Sequence, residues 1–172
     1  MTESSNQDKL RKEIAALLPR LRRFGRTLAR NPQDADDVVQ IAVERALTHT
    51  AQWQPGTRLG NWIFRIMQNA WIDETRARER RSQIFVPEEA GDNVGASTND
   101  AQMDAIAVNN AVAQLGDDQR AVVGLVFAEG FSYQEAVEVL HIPVGTLTSR
   151  LARARDTLQT LLGGGCGRGV LT

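Results

Sequence analysis

Apolar residues recur at helical spacing along most of the chain, and sustained alternation of β-branched residues is absent. The pattern predicts an all-α protein. A first helix is expected over residues 9–29, with a bend at Pro19, where an interior proline removes a backbone hydrogen bond. Asn31-Pro32 starts a second. Asn caps well, Pro suits the first helical position, and Asp34, Asp36 and Asp37 favour the positive end of the helix dipole. Val38, Ile41, Ala42 and Arg45 carry this helix to about Thr48. A turn follows at Gln54-Pro55-Gly56-Thr57. A third helix is expected over 59–81. One stripe of it is Ile63, Ile66 and Ala70, and a second is Phe64, Met67 and Trp71. A helix apolar on two sides sits inside a bundle. Arg65, Asn69, Ile72 and Arg76 occupy the remaining face.

Residues 82–104 break the pattern with Pro87, Gly91, Gly95, Ser97 and several acids, and read as a flexible acidic linker. Fully extended it spans roughly 70 Å at about 3.3 Å per residue, or about two turns of duplex. Two more helices are expected between Met103 and Gly130, broken at Leu115-Gly116-Asp117. Ser132 and Glu135 then form a capping box, S-x-x-E. Pro143 opens a last helix in which Val144, Leu147, Leu151, Ala154, Leu158 and Leu161 make a core-facing stripe. Its opposite face shows Thr146, Ser149, Arg150 and Arg153. This pair of helices has the signature of a helix-turn-helix, whose second helix enters a DNA major groove. Short hydroxyl side chains permit close approach, and arginine reads guanine or holds phosphate. Gly163-Gly164-Gly165 ends the helix, and a disordered tail is expected over 163–172.

Charge changes the picture. The net charge is -1 over 172 residues, low for an independent DNA binder. Residues 1–81 hold 15 Lys/Arg against 10 Asp/Glu, residues 82–104 hold five acids and no base, and the remainder is nearly balanced. Weak affinity for free duplex follows, so a larger partner is expected to supply much of the contact. No run of 18 apolar residues suggests a membrane span, and a single cysteine, Cys166, fits a reducing cytoplasm. No phosphate-binding loop, H-E-x-x-H or metal-spaced Cys/His cluster occurs. Neither an enzyme nor a cofactor is expected, and Cys166 reads as an inert thiol.

The segment 114–158 resembles region 4 of bacterial sigma factors of the extracytoplasmic-function group, in the sigma-70 family. Leu115-Gly116-Asp117-Asp118-Gln119-Arg120 matches that family's "L-P-x-x-Q-R". Phe131-Ser132-Tyr133-Gln134-Glu135 matches "L-S-Y-x-E", and 142–151 matches "I-P-x-G-T-V-K-S-R-L". His141 stands where the family usually has Gly, so a strained left-handed residue is expected there. The N-terminal half is similar to region 2. Asp34-Ala35-Asp36-Asp37-Val38-Val39-Gln40 resembles "D-A-E-D-L-V-Q", and 62–73 resembles "W-L-x-x-I-A-x-N-x-x-x-D".

The resemblance implies two small helical domains: region 2 at 1–81 and region 4 at 105–162, joined by the linker. It implies a sigma factor that binds core RNA polymerase through its β′ and β subunits and directs promoter-specific initiation, for a stress regulon. Asp36, Asp37, Gln40 and Glu44 would dock on a β′ coiled coil. Arg58, Arg65, Asn69 and Arg76 would hold the melted downstream element, as a basic groove does single-stranded DNA. Trp62 and Trp71 fit core packing better than base stacking. Thr146, Ser149, Arg150 and Arg153 would read the upstream duplex, with Ser132, Tyr133 and Gln134 on its backbone. An anti-sigma factor is the further partner implied. The competing reading is a stand-alone helix-turn-helix regulator, which would bind promoter duplex tightly without polymerase.

Overall fold

The computed structural model describes residues 2–83 and 100–163, and among these no strand occurs. The helices are α1 (Thr2–Leu28), α2 (Pro32–Thr48), α3 (Leu59–Ser82), α4 (Asp100–Ala113), α5 (Asp117–Val123), α6 (Tyr133–Leu140) and α7 (Val144–Gly163). A 3-10 turn, Thr50–Gln52, follows α2, and a π turn, Gly124–Ala128, extends α5. Most of the expected linker (84–99) and the tail with Cys166 lie outside the described residues. At the edges of the linker stretch, Ser82 ends α3 and 100–104 already belong to α4.

The helix ends follow local chemistry. Asn31 caps α2 by accepting from the Asp34 N–H at 2.8 Å, with Pro32 at the first helical position. The capping box of α6 is complete: the Ser132 hydroxyl accepts from the Glu135 N–H at 3.1 Å, and the Glu135 carboxylate accepts from the Ser132 N–H at 3.0 Å. His141 ends α6 in the left-handed region, at φ 52, as the missing glycine foretold. The first helix starts earlier than its apolar pattern, and it runs unbroken through Pro19.

Helices α1, α2 and α3 form a three-helix unit around Leu21, Phe24, Val38, Ala42, Ile63, Phe64 and Met67, all buried. Gly25 sets how closely α1 approaches α2 and α3. A Cβ there would stand 3.0 Å from both the Ala35 carbonyl oxygen and the Met67 methyl. Trp71 is buried and Trp62 half-buried, so both serve packing. In the second unit α5, α6 and α7 pack through Ala121, Val122, Ala136, Val139, Leu147, Leu151 and Ala154. The stripe of α7 is core-facing only in its middle. Val144 is 56% exposed and Leu161 37%, because α7 extends past its packing partners at both ends.

The two units are not separate bodies. Their buried residues form one continuous cluster. Phe64 of α3 meets Phe131 of the second unit edge-on at 5.1 Å between centroids, and meets Phe24 of α1 at a tilt at 5.3 Å. Arg120 is 2% exposed. Its Nε donates to the Leu28 carbonyl at 3.1 Å, satisfying an end carbonyl of α1, and its Nη1 donates to the Leu115 carbonyl at 2.8 Å. The helical periodicity does not foretell this contact between the two units. The reason lies in contacts between residues far apart in the chain, which no periodicity displays.

Candidate nucleic-acid and polymerase interfaces

Three surfaces carry the residues singled out from the sequence. On α2, Asp36, Asp37, Gln40 and Glu44 are all exposed and lie within one face. Gln40 donates to Glu44 at 3.4 Å, and neither aspartate has an ion pair among the described residues. Asp34, one turn earlier, is different. It takes two hydrogen bonds from Arg78 of α3, at 2.5 and 2.6 Å. Arg78 holds the Asp34 carboxyl below the usual carboxylate range and is itself raised by it. Asp34 therefore clamps α2 to α3, while the next acids remain free. Across a shallow groove floored by Leu18, Val39 and Val43, Arg22 and Arg26 of α1 face Asp36 and Glu44.

The α7 face is open. Ser149 and Arg153 are exposed and Thr146 is half-buried. Arg150 is less free than its neighbours: it is 27% exposed and stands 3.3 Å from the Asp118 carboxylate of α5. Ser132, Tyr133 and Gln134 are exposed at the start of α6. The Ser132 hydroxyl is occupied as the cap, so its contact with a phosphate would rest on its remaining proton.

The α3 face is divided. Asn69 and Arg76 are exposed. Arg58 and Arg65 are instead engaged by α6. Arg58 pairs with Glu135, and Arg65 Nη2 donates to the Glu138 carbonyl at 2.7 Å. The Ser132 N–H, donating to the carboxylate, holds Glu135 below its ordinary value, with Arg58 adding to the effect. Arg58 nevertheless stays 78% exposed, and of the four residues expected as one DNA groove only Arg65 is half-buried.

Arg20, Arg23 and Glu129, which join the two units, carry no motif signal. A faint one exists: Glu129 directly follows the apolar run Val122–Ala128, where an acid needs a partner. Among the described residues no group of three or more His, Cys, Asp or Glu is placed to hold a metal ion, and no helix is long and apolar enough to cross a membrane.

A helix-turn-helix with an open hydroxyl-and-arginine face, set on a bundle with an exposed acidic face, has the form of a two-module helical DNA-binding protein. Comparison with known proteins narrows this. Residues 14–81 match the model of Sigma-70 region 2, and residues 105–158 match that of Sigma-70 region 4. The chain belongs to the sigma-70 family, in its extracytoplasmic-function group. It is 36% identical over 155 residues to the ECF RNA polymerase sigma factor EcfG of Rhodopseudomonas palustris, covering 90% of this chain and 86% of that protein. The sigma factor RpoE of Bartonella quintana, solved in complex with the anti-sigma factor NepR, matches with a TM-score of 0.75 and 31% identity over 90% of this chain and 97% of that one. CnrH, solved with the cytosolic domain of CnrY, matches with a TM-score of 0.70 and 25% identity over 95% of this chain and 93% of that one. Both halves being sigma regions leaves no sensor half, which disfavours the stand-alone regulator.

Proposed function

We propose that this protein is a sigma factor that binds core RNA polymerase and directs transcription initiation at a specific set of promoters, in the bacterial cytoplasm where that polymerase works. The observation that carries the reading is the ordered match of region 2 and region 4 over most of the chain. Within it, Asp36, Asp37, Gln40 and Glu44 form the polymerase-docking face. Their exposure, with no ion pair to another described residue, supports this role, since an acid already neutralised within the chain has little to offer a basic partner. Thr146, Ser149, Arg150 and Arg153 read the upstream element as duplex, with Ser132, Tyr133 and Gln134 on its backbone. Arg58, Arg65, Asn69 and Arg76 hold the melted downstream strand.

Residues 1–81 and 105–162 act as the two working domains. The role is binding and positioning rather than catalysis. An anti-sigma factor is the further partner, by analogy with the complexes of the two similar sigma factors. In vitro transcription tests the whole reading. Purified core polymerase with this protein should start at defined genomic promoters, and core alone should not. Absence of initiation at every promoter offered would refute it.

A further inference from the structure

The arginine run that closes α3 is not uniform. Arg76 and Arg80 are exposed and stand in no ion pair with another described residue. Arg78 has every nitrogen engaged. Its Nη1 and Nη2 donate to the two oxygens of Asp34 at 2.5 and 2.6 Å, and its Nε donates to Glu74 Oε1 at 3.0 Å. The guanidinium carbon also lies 5.9 Å from the ring centroid of the buried Trp71. Asp34 in turn accepts from Asn31 Nδ2 at 2.6 Å, and Asn31 is the cap of α2. An unbroken chain of polar contacts thus runs from the first turn of α2 to the last turns of α3.

Apolar burial between helices is non-directional, so by itself it fixes the rotation of α2 on α3 only loosely. A two-pronged arginine–carboxylate pair is planar and has one good geometry. With the Asp34 side chain only 15% exposed, water and salt weaken this pair less than an open surface pair. Its place matters too. Asp37, Gln40 and Glu44 of α2 line one shallow groove with Glu74 and Arg78 of α3. Asn69 and Arg76, the exposed members of the strand-holding set, belong to the same α3. Arg78 therefore stands between the two working faces of this unit. Drawing it onto a phosphate would strip the largely buried Asp34 carboxylate of its partner, which is costly.

The geometry points to Arg78 as a positioning residue for polymerase docking: through Asp34 it sets the rotation of α2 on α3 and keeps the docking acids in register with the strand-holding residues. Despite lying in an arginine run, it is not a phosphate ligand. Its neighbours divide the labour, with Arg76 turned outward and Arg78 turned inward. This role rests on the docking reading of Asp36, Asp37, Gln40 and Glu44 given above.

The test measures the affinity of the full chain for core polymerase, with circular dichroism confirming that each variant is folded. Arg78→Ala and Asp34→Asn should each weaken binding roughly tenfold, the scale of one charge-assisted bond. Combined, they should cost no more than either alone, because both break the same pair. Arg78→Lys keeps the charge and loses the fork, so it should follow Arg78→Ala. Unchanged affinity in Arg78→Ala and Asp34→Asn overturns the positioning role. So do shifts of opposite sign, since Arg78→Ala bares an acid and Asp34→Asn removes one, and opposite signs would mean that net charge alone governs docking. A second readout uses the assembled holoenzyme and a labelled oligodeoxythymidine. Arg76→Ala should lower the salt dependence of binding by about one phosphate contact, and Arg78→Ala should leave it unaltered. A lowered salt dependence in Arg78→Ala would return Arg78 to the strand ligands and overturn its separate role. Failure of the unaltered chain to bind core polymerase would instead refute the sigma reading itself.

Discussion

The α3 and α7 faces carry similar chemistry and meet different fates in the folded chain. Both present arginines and small polar side chains at helical spacing. On α7 that face looks outward, because Leu147, Leu151 and Ala154 on the opposite side take all the packing. On α3 the arginines nearest its start are taken by α6, while Asn69 and Arg76 further along stay free. A binding residue is thus defined twice, once by its chemistry and once by whether the rest of the fold leaves it available.

Substitutions can break that contrast at several strengths. The largest effect is expected from Phe64→Ala. Phe64 is wholly buried and touches both Phe24 and Phe131, so chemical denaturation should show a loss of about 3–5 kcal/mol. Gly124→Ala comes next. The added methyl would stand 3.0 Å from the Phe24 ring and 3.1 Å from the Thr27 methyl, and overpacking of this kind costs about 1–3 kcal/mol. Hydrogen exchange should then rise along α3 and α6 while the middle of α7 stays protected.

Arg153→Ala should lower transcription that depends on the upstream element by roughly tenfold, the low end of about 1–3 kcal/mol per base-reading arginine. Arg150→Ala should cost less, because Arg150 must first leave Asp118. Equal effects from the two variants would show that the Asp118 contact is immaterial. Ser132→Ala removes a cap worth about 1 kcal/mol. Its mark should be faster exchange confined to the first turn of α6, with looser hold on Arg58.

The smallest expected effect is one of pH. Arg78 lowers the Asp34 pKa in the folded chain. The stability this contributes is complete above the unfolded aspartate value, about 3.9, and disappears as pH falls through the lower folded value. Asp34→Asn should flatten the acid limb of a stability-against-pH curve and leave the neutral plateau slightly lower. An acid limb as steep as in the unaltered protein would deny the clamp its role.

Much of the molecule was legible because it is built from neighbours. Asn31-Pro32 and Ser132-x-x-Glu135 mark helix starts through hydrogen bonds that span three residues. His141 takes the left-handed turn that the helix pair demands. The acids of α2 and the hydroxyls of α7 show themselves in the same way, since a helix places them on one face wherever it is packed. Val144 and Leu161 misled for a related reason. Periodicity tells which side of a helix is apolar, and the length of the partner tells how much of that side is covered.

Residues within a few positions of one another settled the helices, their caps and the chemistry of each face, because those interactions close in any surroundings. Folding alone decided that Glu129 meets Arg20 and Arg23, that Arg120 reaches Leu28, and that α6 takes Arg58 and Arg65. These partners lie 73 to 109 residues apart. Loop closure over such distances leaves no trace in local pattern, and only burial of the aromatic contact between the halves brings them together.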